Sequence, residues 1–131
     1  MTKNIRIALI GLGRVGETFA EHFLASIQIR HIAAEIVAVA AHNIDSPVAM
    51  GFTHSKVPVY SDGLKIAELG DSVDIIFDLT GNLQFRQQLR DRLRELDNHH
   101  TVIAPEVMAR LLWSFFSDDA QLPDVHGNTG Y

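Results

Sequence analysis

The sequence contains no cysteine. Disulfides, thiolate catalysis and cysteine-held zinc are therefore excluded from its chemistry. It also lacks a surplus of positive charge: 11 Lys and Arg stand against 16 Asp and Glu, a net charge of −5. A dedicated nucleic-acid binder needs a basic face, so nucleic acid is not the expected partner. No stretch approaches the ~18 apolar residues of a membrane span. The opening MTKNIRIALIGLG has an apolar run only about a strand long, leading straight into glycines, which is not the pattern of a signal peptide. Absence of a leader and of cysteine suggests a cytoplasmic protein. Lysine is absent beyond Lys65, and no internal repeat is visible.

What is present is a hydrophobic share of 47% in 131 residues, enough for one domain with its own core. Apolar runs alternate with helical patterns, the signature of βαβ units and a parallel sheet. Ile5–Ile10, Ile36–Ala41, Val57–Tyr60, Val73–Leu79 and Thr101–Ala104 read as strands. Pro58 places the third of these at a sheet edge. Helices are expected from Arg14 to about Gln28 and from Asn82 to Leu96. Shorter ones follow Ser46 and Asp62, which serve as caps, and a last helix runs from Pro105 to about Phe116. In the Asn82–Leu96 helix, Phe85, Leu89, Leu93 and Leu96 form the apolar stripe. Arg86, Arg90, Arg92 and Arg94 are assigned to its solvated face. After Ser117 the composition turns to glycine, proline and aspartate, so residues 118–131 read as a flexible tail or linker.

The motif that carries chemistry is Gly11-Leu12-Gly13-Arg14-Val15-Gly16, a G-x-G-x-x-G that directly follows a buried strand and opens an amphipathic helix. The first glycine permits the tight turn, the second lets a pyrophosphate approach the backbone, and the third lets helix and strand pack closely. The unpaired N–H groups and positive dipole end of the helix then favour phosphate. A glycine-rich strand–helix turn that binds nothing is the bland alternative.

IRIALIGLGRVGETFAEHFL, EIVAVAAHN, VPVYSD and DIIFDLTGN together resemble an NAD(P)-binding Rossmann domain over residues 1–117. The resemblance is to the amino-terminal domain of oxidoreductases of the Gfo/Idh/MocA and homoserine- or aspartate-dehydrogenase type. It implies an α/β fold: a three-layer, doubly wound parallel sheet of five or six strands. It also implies that Leu79, Thr80, Gly81 and Asn82 line the nicotinamide side of the cleft. Two departures from that pattern matter. An acidic residue is expected near Ala41 to hold the adenosine ribose, but the chain reads Ala41-His42-Asn43-Ile44-Asp45. His42, Asn43 and Asp45 are the available substitutes, and NAD versus NADP stays open, with NAD slightly preferred. Those enzymes also carry Glu-Lys-Pro after the fifth strand, and the lysine does acid–base work. Here the stretch is Val102-Ile103-Ala104-Pro105-Glu106.

A chain of this length is also too short to hold a cofactor domain and a substrate domain together. DIIFDLTGNLQFRQQLRDRLREL followed by VIAPEVMARLLWSFF is similar, in addition, to Rossmann-like domains of bacterial sensor histidine kinases. The expectation is therefore a stand-alone NAD(P)(H)-binding module that senses or scaffolds, without catalytic residues. The cofactor-binding part of an NAD(P)-dependent oxidoreductase is one alternative, and a binder of coenzyme A or another adenine nucleotide is the other. The helix Glu106–Phe116 is apolar almost all round. Trp113 and Phe116 are candidates to meet a partner, most simply in a homodimer. His22, His31, His42, His54, His99, His100 and His126 show no metal-ligand spacing with carboxylates, so no metal is expected.

Overall fold

The computed structural model describes residues 4–116. The expected tail at 118–131 lies outside the described residues. Ten elements follow one another: β1 (Ile5–Ile10), α1 (Arg14–Arg30), β2 (Ala34–Ala40), α2 (Pro47–His54), β3 (Val59–Tyr60), a 3₁₀ segment (Gly63–Ser72), β4 (Ile75–Asp78), α3 (Leu83–Glu95), β5 (Val102–Ala104) and α4 (Glu106–Phe116). The five strands form one sheet in the order β3-β2-β1-β4-β5. Every strand pair is parallel. The chain starts in the middle, winds outward to β3, then crosses to β4 and β5. This is the doubly wound Rossmann-like arrangement, and the crossover leaves a crevice between the carboxyl ends of β1 and β4.

Alternation along the strands builds two cores, as a sheet buried on both faces requires. From β1, Ile7 and Leu9 join Phe19 and Phe23 of α1 and Trp113 of α4 on one face. Ala8 and Ile10 join Ile66 of the 3₁₀ segment and Leu89 and Leu93 of α3 on the other. Pairing of β1 with β2 shifts register between Ile7 and Ala8, so that Ile7 faces Ile36 but Ala8 faces Ala38. Val37 is the extra residue, a bulge that resets which side chains reach each core.

Local signals account for the element ends. The Ser46 hydroxyl accepts from the Ala49 amide 3.2 Å away and Pro47 opens α2. The Asn82 side chain accepts from the Phe85 amide at 3.0 Å and starts α3. The third strand is shorter than expected. Pro58 donates nothing, although its carbonyl still accepts from the Val39 amide at 3.0 Å.

One expectation about α4 is corrected. Trp113 is buried, its ring edge-on to His22 of α1 at 4.6 Å between centroids, so it packs into the core rather than standing at the surface of the helix. The side chain of Phe116 lies outside the described residues. The apolar groups that α4 does expose are Val107, Met108, Leu111 and Phe115.

Candidate functional site

A cleft of about 520 Å³ opens at the carboxyl edge of the sheet, over the crossover. Its floor is Ile10, Gly11, Gly13 and Gly16 from the β1–α1 turn. One wall is Ala40, Ala41 and His42 from the end of β2 with Ser61, Asp62 and Gly63 beyond β3. The other wall is Leu79, Thr80 and Asn82 after β4, with Phe85 and Gln88 of α3.

The floor is made by backbone. Gly11 has φ +93°, a conformation that side chains rarely adopt. A Cβ there would also lie 2.9 Å from the Thr80 amide nitrogen. At Gly16 a Cβ would lie 2.1 Å from the Gly11 carbonyl oxygen, so helix and turn touch through bare backbone. Gly13 differs: a Cβ added there meets nothing of the protein within 4 Å. Packing therefore gives no reason for glycine at this position. The open space beside it is the kind of cradle that a pyrophosphate needs.

Amides in the turn divide into used and free. Gly11 and Leu12 N–H both donate to the Ala40 carbonyl, at 3.0 and 3.4 Å, and Gly13 N–H donates to the Gly11 carbonyl at 2.8 Å. The first helical bond of α1 runs from the Glu17 amide to the Gly13 carbonyl at 2.7 Å. Gly13 supplies no side-chain cap, and the amides of residues 14–16, in the first turn, have no acceptor within the helix. Of Arg14 and Val15 only the backbone is described. Leu12 is buried in the core, away from the cleft.

The far wall is held from behind by charged side chains, and the key residue is Asp78 at the end of β4. Asp78 is fully buried. One carboxylate oxygen accepts from the Thr80 amide at 3.1 Å and from the Thr80 hydroxyl at 2.6 Å. The other accepts from Arg86 Nε at 2.8 Å. Arg86 Nη2 then pairs with Glu106, the first residue of α4, which is itself buried. Burial opposes the charge of Arg86. The hydrogen bond to Asp78 and the fields of both carboxylates outweigh it and hold the guanidinium pKa above its ordinary value. Thr80, its proton committed to Asp78, accepts from the Asn82 amide at 3.1 Å. The loop that faces the ligand space is thus fixed through four side chains.

Arg86 does not lie on the solvated face assigned to it. α3 carries it one residue past Phe85, at the helix start, where the polar flank turns inward onto Asp78. Arg92 is also engaged, with Glu68 at 2.7 Å and Glu95 at 3.1 Å.

Of the expected ligand-contacting residues, the structure brings Gly11, Gly13, Gly16, His42, Leu79, Thr80 and Asn82 to the cleft. Gly81, at φ +68°, shapes the loop without lining it. Asn43 and Asp45 do not reach the cleft. Their turn closes on itself, the Asn43 side chain accepting from the Asp45 amide at 3.0 Å on the way into α2. Ser61, Asp62, Gly63, Gln84, Phe85 and Gln88 line the cleft without having been expected there. For Asp62 the signal was present, since it follows a strand at its carboxyl end. No group of three or more His, Cys, Asp or Glu able to hold a metal occurs among the described residues. No helix among them is long and apolar enough to cross a membrane.

No protein-family model and no curated protein match the chain. Solved structures do. S. aureus homoserine dehydrogenase is similar over 88% of this chain and 31% of its own, at 22% identity and a TM-score of 0.59. The homoserine dehydrogenase from Thiobacillus denitrificans is similar over 78% of this chain and 23% of its own, at 23% identity and a TM-score of 0.57. The myo-inositol 2-dehydrogenase from Lactobacillus plantarum is similar over 83% of this chain and 38% of its own, at 20% identity and a TM-score of 0.52. The chain thus spans a quarter to two fifths of the length of these proteins, and the likeness is one of fold: residues 4–116 form a single Rossmann-like α/β domain.

Proposed function

We propose that the cleft binds a nicotinamide adenine dinucleotide and that this domain holds or senses the cofactor without transforming it. The observation that carries the binding reading is the glycine turn. Gly11 and Gly16 are required by the protein's own backbone, whereas Gly13 faces open space into which a ligand would fit. The open amides of residues 14–16 and the dipole of a 17-residue helix would hold the pyrophosphate. Thr80 and Asn82 would face the nicotinamide side, and His42 the adenosine side. The dinucleotide would supply redox chemistry in a partner enzyme, while this chain's residues bind and orient it.

Two features support a non-catalytic role. Among the described side chains lining the cleft, only His42 and Asp62 are ionisable, and both stand on the adenosine wall. Behind the opposite wall, Asp78 and Glu106 are paired with Arg86 and do not line the cleft. A partner could read occupancy through the exposed stripe of α4, Val107, Met108, Leu111 and Phe115, which a second copy would bury. The likeness to two kinds of dehydrogenase favours the second reading, the cofactor-binding part of an oxidoreductase completed by another domain or subunit.

Calorimetry and thermal shift with NAD⁺, NADH, NADP⁺ and NADPH test the proposal. Ligand at 100 times its Kd stabilises by about 2.7 kcal/mol. A shift with at least one of them, and no hydride transfer to small carbonyl compounds, is the expected result. Failure of all four at millimolar concentration, with a response to coenzyme A or a mononucleotide, would move the assignment to another adenine ligand.

A further inference from the structure

The adenosine wall lacks the acidic residue expected at the end of β2, yet it does not lack an acid. Strands β2 and β3 pair in parallel, Val39 with Val59 and Ala40 with Tyr60. The next link is a hydrogen bond from the Ala41 amide to the Tyr60 carbonyl at 2.9 Å. Counting onward in that register, Asp62 stands level with His42, one strand across. The lateral step between paired strands is ~4.8 Å, about the reach of a carboxylate side chain. Asp62 and His42 line the same cleft, whereas Asn43 and Asp45, the nearest polar residues after β2, do not.

The Asp62 carboxylate is also held in place. One oxygen accepts from the Leu64 amide at 3.0 Å and caps the 3₁₀ segment, while the other makes no hydrogen bond among the described residues. A capped, half-engaged carboxylate at a cleft wall is a fixed acceptor for a pair of hydroxyls. It is also a fixed negative charge. None of the described side chains lining the cleft is a lysine or an arginine.

We infer that Asp62, at the end of the third strand, takes the ribose-reading role usually filled from the second, and that it makes the domain select NAD(H) over NADP(H). This rests on the dinucleotide reading above and adds to it a residue and a preference. A ribose with free hydroxyls donates to the carboxylate. A 2′-phosphate meets its charge instead.

The experiment is calorimetric titration of the whole chain with NAD⁺ and NADP⁺, and of the Asp62→Asn and Asp45→Asn variants. Asparagine preserves the cap, so Asp62→Asn keeps the fold, and a thermal melt without ligand checks this. Wild type should bind NAD⁺ at least ~10-fold more tightly than NADP⁺, a difference of about 1.4 kcal/mol. Asp62→Asn should weaken NAD⁺ several-fold and bring the two cofactors to within about threefold of one another, since a neutral amide neither accepts as strongly nor repels. NADP⁺ binding as well as NAD⁺ to wild type would overturn the assignment while leaving the dinucleotide site standing. So would loss of NAD⁺ affinity in Asp45→Asn but not in Asp62→Asn. No binding of either cofactor by wild type would overturn the dinucleotide reading itself, and the assignment with it.

Discussion

The floor of the cleft and its β4–α3 wall, which meet at the crossover, are built from different materials. On the β1–α1 side the surface is backbone: amides, a helix end and three glycines. On the β4–α3 side the loop is held by a chain of side chains, Thr80 to Asp78 to Arg86 to Glu106, drawn from three separate elements. A backbone site depends on shape, so it tolerates almost any side chain that is absent. A side-chain site depends on charge balance, and it fails when one member is removed. The comparison can be broken in ways that separate these two dependences.

The largest effect on stability is expected at Arg86→Met. Methionine keeps the bulk but leaves Asp78, fully buried, and Glu106 without their shared cation. Breaking a buried pair in this manner costs about 3–5 kcal/mol. Urea unfolding should show that loss. The double variant Arg86→Met with Asp78→Asn should recover part of it, because the orphaned charge is gone. If Arg86→Met proves neutral, the β4–α3 wall is not held by charge and the contrast drawn here falls.

Next in size is Gly16→Ala. The new methyl would sit 2.1 Å from the Gly11 carbonyl oxygen, which is backbone and has nowhere to go. Overpacking of this kind typically costs ~1–3 kcal/mol, and the floor of the cleft should distort with it, so stability and dinucleotide affinity fall together. Gly13→Ala sharpens the point. Its methyl meets nothing of the protein and its backbone φ is −93°. Stability should move by less than about 0.5 kcal/mol, as surface changes usually do. Affinity should fall by ~10-fold or more, because the methyl occupies the pyrophosphate's approach. Equal loss of stability in the two alanine variants would remove the distinction between a glycine kept for the fold and one kept for a ligand.

The same division explains what could be read from the sequence. Alternating strands, the glycine turn and the caps at Ser46, Asp62 and Asn82 are local patterns, and the fold follows from them with boundaries off by one or two residues. Residues whose roles depend on distant partners were opaque. Arg86 reads as one of four solvated arginines because its acceptors, Asp78 and Glu106, lie eight positions before it and twenty after. Trp113 reads as an interface residue because seven large apolar side chains crowd α4 and the helical wheel alone cannot choose among them. Asp62 reads as a cap, and although it follows a strand's carboxyl end, only the register of β3 against β2 sets it level with His42.

The smallest effect should come from the other end of β4, where a second carboxylate–arginine pair is open to water. Asp74 accepts from the Arg6 guanidinium at 2.9 Å, from the Arg6 amide at 2.8 Å and from His100 Nε2 at 2.5 Å. The Arg6 side-chain hydrogen bond is the foremost reason that the Asp74 carboxyl lies well below the usual carboxylate range, followed by the Arg6 amide and His100. A depressed carboxylate pKa stabilises the fold above the unfolded value of ~3.9 and ceases to do so as pH falls through the folded one. Asp74→Asn should therefore lower Tm modestly between about pH 5 and 8, and the gap to wild type should close only below about pH 4. Solvent screens this pair, as it does most exposed ion pairs, whereas Asp78 is shielded. Added salt should shrink the Asp74→Asn difference and leave the Arg86→Met difference nearly intact. Melts of both variants at two ionic strengths would show whether β4 carries one kind of ion pair or two.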